Sequence, residues 1–194
     1  MLTLNKKQLK SVLAFAAKKA IRYFLNGIYF DGHDLVAVDG ALMVVLTDNE
    51  IKSPKDQLDL KYFIARENVE HALSKMNAKD KCVLCVMDGV ASIKVGDSII
   101  CDQNGANKSV FKFPDFNRVI CNSGGAPEGF NWYNPDYLKA LENVVKAFTG
   151  RSYFKPEGFM HTQCAKGCLG VRLIVHDDIG EELTMNISIM PVRM

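Results

Sequence analysis

The sequence predicts an α+β fold built from three successive modules, each a helix with short strands and each roughly 60 residues long. Three observations lead there: amphipathic helical segments recur three times, runs of β-forming residues accompany each, and turn dipeptides separate the runs. A length of 194 residues allows one generous domain or two small ones. With 48% apolar and 24% charged residues, the chain should bury a real core, which excludes disorder, collagen and coiled coil. No apolar run approaches the roughly 18 residues that cross a bilayer, and the N-terminus lacks a secretory h-region. A soluble, cytoplasmic protein is expected.

The first helix is predicted over Leu4 to Ala20, with Leu9, Val12, Leu13, Ala16 and Ala20 on one face at helical spacing. Lys7, Lys10 and Lys18 fall on the opposite face, as a positive stripe or as an ordinary solvated surface. Before Asp31 the chain holds Lys6, Lys7, Lys10, Lys18, Lys19 and Arg22 and no acid, an asymmetry that the net charge of +2 conceals. Such a segment suits a negatively charged partner. Strands are predicted at Ile21 to Phe30, Asp34 to Val38 and Leu42 to Thr47, punctuated by Asp31-Gly32 and Asp39-Gly40.

The second module opens with an extended run from Leu58 to Ile64 and a helix from Arg66 to Met76 that buries Val69, Ala72, Leu73 and Met76. Strands follow at Cys82 to Met87, Ala91 to Val95 and Ser98 to Asp102, with Asp88-Gly89 and Gly96-Asp97 between them. The unit is therefore β-α-β-β-β. Ser123-Gly124-Gly125-Ala126-Pro127 marks the next boundary. The third helix starts at Asn134-Pro135-Asp136, as N-cap, first helical position and a carboxylate favoured by the helix dipole. Leu138, Leu141, Val145 and Phe148 form its expected buried stripe, and Val171 to His176 and Leu183 to Ile189 read as strands.

A Gly-rich phosphate loop, a His-Glu-x-x-His helix and a nucleophile elbow are all missing from the sequence, so no catalytic residue is assigned and the chain is not expected to be an enzyme. The six cysteines (Cys82, Cys85, Cys101, Cys121, Cys164 and Cys168) are read as reduced thiols. Cys82 and Cys85 stand three apart in a predicted strand and point to opposite faces, which argues against a shared metal or redox role. His161, Cys164 and Cys168 have a spacing that begins a zinc site but lack an evident fourth ligand. No metal and no cofactor is expected.

Three separated motifs carry a family resemblance. Arg22-Tyr23-Phe24-Leu25-Asn26-Gly27, followed by Val36-Ala37-Val38-Asp39-Gly40, is similar to an Arg-Tyr-Tyr-Leu-Asn-Gly strand and Ala-Thr-Asp-Gly turn. Phe113-Pro114-Asp115-Phe116-Asn117-Arg118-Val119 is similar to a Phe-Pro-Asp-Tyr-Arg-Arg-Val segment. Met190-Pro191-Val192-Arg193-Met194 is similar to a Met-Pro-Met-Arg-Leu terminus. In this order they resemble the bacterial DNA polymerase III β subunit, the DNA sliding clamp family. The resemblance implies a DNA-clamp (processivity) fold of about one and a half clamp domains. Residues 1–122 match a complete middle domain, and 123–194 match the C-terminal half of the last domain. The span Thr149 to Leu169 reads as an insertion.

The resemblance also implies partners. In the family, the middle and last domains hold short linear motifs of polymerases and other replication proteins. The positions that match here are Leu25, Val38, Gly40, Leu42, Met43, Pro114, Val119, Met190, Pro191, Val192 and Met194, with Arg118 and Arg193 as polar contacts. Most are apolar, as a pocket for Leu and Phe anchors requires, although packing in a core is the alternative for Leu25 and Val38. The family's Thr, His and Arg around the turn are Val38, Ala41 and Leu42 here, which alters the expected peptide specificity. Duplex DNA is the second implied partner, through phosphate contacts of Lys7, Lys10, Lys18, Lys19, Arg22 and Tyr23. The expected role is that of a processivity factor from a phage or plasmid replicon; the alternative is a decoy or adaptor that binds clamp partners without encircling DNA. Family rings contain twelve modules, so four copies of a three-module chain supply that number as a homo-oligomer.

Overall fold

Leu2 and Leu4 alternate with Thr3 and Asn5, and in the computed structural model this period of two becomes strand β1 (Leu2–Asn5), not the first turn of a helix. The structure describes residues 1–30, 32–49, 62–87, 90–101, 113, 115–118, 120, 132–151, 160–161 and 168–191. Asn5 ends β1 and opens helix α1 (Lys6–Leu13). Its Oδ1 accepts from Lys7 N and Gln8 N, both at 3.0 Å, while Gln8 Oε1 accepts from Asn5 N at 2.9 Å. This reciprocal cap satisfies donors that the first turn leaves unpaired.

The helix predicted to reach Ala20 stops at Leu13. Past that point the Arg66 guanidinium donates to the carbonyls of Leu13, Ala16 and Ala17 at 3.3, 2.8 and 3.2 Å. A side chain thus takes acceptors that another helical turn would have used. Lys18 stands outside the helix, and the three-lysine stripe reduces to Lys7 and Lys10. The strand predicted from Ile21 to Phe30 also shortens: Tyr23–Leu25 form a 3-10 turn and β2 is Gly27–Phe30. The Asn26 side chain locks that turn by accepting from Ala20 N at 2.6 Å and donating to Ala20 O at 2.8 Å.

Strands β3 (Asp34–Val38), β4 (Leu42–Asp48) and β5 (Tyr62–Ala65) and helix α2 (Arg66–Lys75) agree with expectation over the described residues. So do β6 (Lys81–Met87), β7 (Val90–Val95) and β8 (Ser98–Cys101). Val69, Ala72 and Met76 are buried and Leu73 packs half-buried against them. Helix α3 (Pro135–Thr149) starts where Asn134 Oδ1 accepts from Asp136 N at 2.9 Å. It ends at Gly150, whose φ of +69° closes the last turn. Its buried stripe is Leu141, Val144 and Val145, with Phe148 half-buried. Leu138 is 42% exposed, because the face that meets the core passes through Tyr137 and Leu141 instead.

Strands β9 (Met160–His161), β10 (Leu169–His176) and β11 (Glu182–Ile189) complete the chain. β9 lies within the predicted insertion, most of which falls outside the described residues. The strands form a four-stranded sheet, β1-β6-β7-β8, and a seven-stranded sheet, β5-β2-β3-β4-β11-β10-β9. β11 pairs antiparallel with β4 from Leu183 opposite Asp48 to Ile189 opposite Leu42. The larger sheet therefore joins the predicted third module to the first. α1 packs against both α2 and α3. One apolar cluster includes Leu4, Leu9, Leu46, Val69, Leu84, Val145 and Ile187, so both sheets and all three helices share it.

Cys82, Cys85 and Cys168 are buried. Cys82 faces the shared core and Cys85 the other side of β6. Burial pushes the Cys82 thiol up to about 12, with the Asp178 charge adding to it and hydrogen bonding acting against it. That thiol stays protonated and unreactive.

Candidate partner-binding site

The turn between β3 and β4 gathers most of the described pocket candidates. Asp39 builds it: its Oδ1 accepts from Ala41 N at 2.8 Å and Leu42 N at 2.7 Å. Gly40 adopts φ +105°, a region that side-chain-bearing residues occupy with strain. A Cβ placed there would stand 3.9 Å from Leu25 Cδ1, so Leu25 reaches the turn. Met190 N donates to Ala41 O at 2.7 Å, which carries the chain one residue past β11 and seats Met190 and Pro191 against the same turn. Tyr137 closes in from α3. Burial raises the pKa of its hydroxyl, and the carboxylates of Asp39 and Asp136 raise it further.

Leu25, Val38, Met190 and Pro191 are half-buried, Gly40 is exposed and Met43 is buried. Leu42 departs from expectation: at 2% exposure it belongs to the main core, on the face of β4 opposite Met43. Pro114, Val119, Val192, Arg193 and Met194 lie outside the described residues. So does the side chain of Arg118, whose backbone belongs to the 3-10 turn Phe116–Arg118.

A second apolar cluster covers the outer face of the larger sheet. It consists of Tyr29, Val36, Met43, Val45, Phe113 and Phe116, with Phe24, Val38 and Ile120 packed against it. Phe113 stacks on Tyr29 at 4.5 Å between ring centroids and meets Phe24 edge-on at 6.0 Å. These rings place Phe113 and Phe116 over β2, β3 and β4. The strand register then lays three rungs across the outer face: Val38-Met43-Ser188-Gly170, Val36-Val45-Asn186-Arg172 and Asp34-Thr47-Thr184-Ile174. Each passes from β3 to β10.

The cationic candidates separate into two groups. Lys7 and Lys10 are exposed on α1. Lys18, Lys19 and Tyr23 line a cleft of about 550 Å³ with Phe63, Arg66 and Glu70. Arg22 is exposed beside that cleft's Tyr23. Lys6 Nζ donates to Met76 O at 2.6 Å, and Arg66 Nε pairs with Glu70 Oε1 at 2.8 Å. The solvent face of α2 carries Glu67, Glu70 and Lys75, so it lacks the excess of positive charge that α1 presents.

Among the described residues no group of three or more His, Cys, Asp or Glu side chains could hold a metal ion. Of the zinc candidates, Cys164 and the His161 side chain lie outside the described residues, while Cys168 is buried with its Sγ against Met190 Sδ. Among the described residues no helix is long and apolar enough to cross a membrane. Sequence reasoning did not assign Phe24, Tyr137, Ile120, Arg172, Asn186 or Ser188 to the site. Two signals were present: the polar alternation of Asn186 and Ser188 among Met185, Ile187 and Ile189, and the position of Tyr137 three residues after the Asn134 cap.

No protein-family model and no curated protein matches the sequence. Solved structures do match in shape. The DNA polymerase sliding clamp of Pseudomonas aeruginosa, solved with a ligand, is similar at TM-score 0.55 and 14% identity, over 99% of this chain and 65% of that one. The Helicobacter pylori β clamp in complex with carprofen is similar at TM-score 0.57 and 7% identity, over 100% of this chain and 66% of that one. The same clamp with diflunisal gives TM-score 0.56 and 8% identity, again over 66% of its length. This chain thus spans just under two thirds of the clamp chains it matches. The two sheets, the three helices and their order along the chain are those of the fold of the bacterial DNA polymerase III β subunit, the DNA sliding clamp.

Proposed function

We propose that this chain is a non-catalytic, clamp-like module whose β3–β4 turn accepts a short linear motif from a DNA polymerase or another replication protein. The observation that carries the reading is the Met190 N to Ala41 O bond of 2.7 Å, which seats Met190 and Pro191 beside the Asp39-Gly40 turn. Half-buried Leu25, Val38 and Met190 on a rigid turn suit Leu and Phe anchors, and a thioether adapts to varied ligands. Pro114, Val119, Val192 and Met194 extend the apolar wall in this reading, and Arg118 and Arg193 orient the peptide. Residues 1–122 act as the complete clamp domain and 123–194 as the half domain.

The test is titration of a Gln-Leu-Phe type peptide by calorimetry. Met190→Asp, which places a charge in the apolar wall, is expected to weaken binding at least tenfold, or about 1.4 kcal/mol. Undiminished affinity in a folded variant overturns the reading.

As a processivity factor in the cytoplasm, the chain would also hold duplex phosphates with Lys7, Lys10, Lys18, Lys19, Arg22 and Tyr23, in an assembly of copies. The adaptor reading, without DNA, draws support from the separation of Lys18 from α1 and from Glu67 and Glu70 on α2. Replacing Lys7, Lys10 and Lys18 together by Glu separates the two. Under the processivity reading, retention on DNA and stimulation of a polymerase are abolished while peptide affinity is unchanged; survival of both overturns that reading, and a parent protein that binds the peptide but is not retained on DNA favours the adaptor.

A further inference from the structure

The outer face of the larger sheet does not end at the apolar cluster. Beyond it lies a polar hollow of about 260 Å³ lined by Asn49, Asn117, Ile120, Arg172, Thr184 and Asn186, among others. Ile120, Arg172 and Asn186 also line a narrow crevice over Gly170 and Ser188. The crevice has room for only about 10 Å³, so together they make one trough that is shallow at the Ser188 rung, next to the β3–β4 turn, and opens at the Thr47-Thr184 rung. Those outer rungs are four residues apart along the strand, about 13 Å, the reach of about four residues of extended peptide.

We propose that this trough is the continuation of the partner site and takes an acidic flank of the bound segment, with a carboxylate on Arg172. The inference rests on the peptide reading above and specifies the partner's chemistry. Arg172 is exposed in the middle of β10, on the rung between the two ends of the trough, and forms no ion pair among the described residues. The acid among the described residues that line the hollow, Asp34, already faces His33 Nδ1 at 3.0 Å. At the far end, Thr184 Oγ1 donates to Asn49 Oδ1 at 2.9 Å and Asn49 Nδ2 donates to Glu182 Oε1 at 3.1 Å, so that wall is held in place. The Asn117 and Asn186 amides offer donors and acceptors to an extended main chain. A guanidinium fork between such amides selects a carboxylate and repels a lysine.

The experiment uses the whole chain and five labelled peptides followed by fluorescence anisotropy. One is the Gln-Leu-Phe type core alone; the others carry a three-residue Asp or Lys extension at its N- or C-terminal side. At one of the two ends, the Asp extension is expected to bind three- to tenfold more tightly than the Lys extension. Arg172→Glu should reverse that preference and Arg172→Gln should erase it, both leaving the unextended core unchanged. Equal binding of Asp and Lys extensions at both ends, or a preference that survives Arg172→Glu, overturns the proposal while the core peptide still reports the pocket. A core that does not bind at all overturns the pocket reading, and this inference with it.

Discussion

Two hairpin turns at opposite ends of the larger sheet are built by the same device and end in different surroundings. At one end Asp39 Oδ1 accepts from Ala41 N and Leu42 N. At the other, between β10 and β11, Asp177 Oδ1 accepts from Ile179 N and Glu181 N, both at 2.9 Å. The second turn is stitched to the four-stranded sheet. Asp178 accepts from Asn5 Nδ2 at 2.9 Å, pairs with Lys81 Nζ at 3.0 Å and donates its own N–H to Thr3 O at 3.3 Å. The first turn meets Leu25, Met190 and Pro191 instead, half-buried apolar groups. Polar pairing closes the fold at one end, and half-buried apolar groups mark the other, where the proposed partner site lies.

The comparison is broken most sharply on β4, where Leu42 and Met43 are neighbours on opposite faces. Leu42→Ala removes a core side chain and is expected to cost about 2–5 kcal/mol in chemical denaturation, with peptide affinity of the remaining folded protein unchanged. A loss of affinity without loss of stability would return Leu42 to the pocket.

A smaller effect sharpens the other end. Burial pulls the Asp178 carboxyl upward, but the hydrogen bond from Asn5 and the bond and charge of Lys81 outweigh it, so the net shift is downward. A folded-state value below the unfolded one means stability that is fully present above the ordinary aspartate value of about 3.9 and lost as pH falls through the lower folded value. Because Lys81 is half exposed, the pair is worth about 1 kcal/mol or less. Asp178→Asn should therefore lower the melting temperature slightly at neutral pH and converge with the parent protein in acid. A gap of equal size at neutral and acid pH would mean that charge is not what Asp178 contributes.

The residues explain how far the sequence could be read. β3, α2 and α3 were legible because an apolar run closed by Asp39-Gly40, a period of 3.6 and an Asn-Pro-Asp cap each left a local mark. The start of α1 was missed although Asn5 and Gln8 carry a capping-box spacing, because the stripe of Leu9, Val12, Leu13, Ala16 and Ala20 also fits a helix that begins at Leu4. Its end depends on Arg66, 53 residues beyond Leu13 in sequence, which no local pattern reveals. On β4 the pocket and core residues could not be told apart. The strand is buried on both faces because Phe113 and Phe116 cover the outer one, so the alternation that separates Met43 from Leu42 is absent from its composition. Arg172 was overlooked for a related reason: its place in the trough comes from pairing of β10 with β11 and of β11 with β4, and neither register is written in the sequence around it.

The most direct test of the contrast between the two ends is a map of backbone amide shifts by NMR as the Gln-Leu-Phe type peptide is added. The amides of Gly40, Ala41 and Met190 should move and saturate together, while those of Ile179, Gly180 and Glu181 stay in place. Saturating shifts confined to the β10–β11 turn, or spread equally over both ends, would contradict the account.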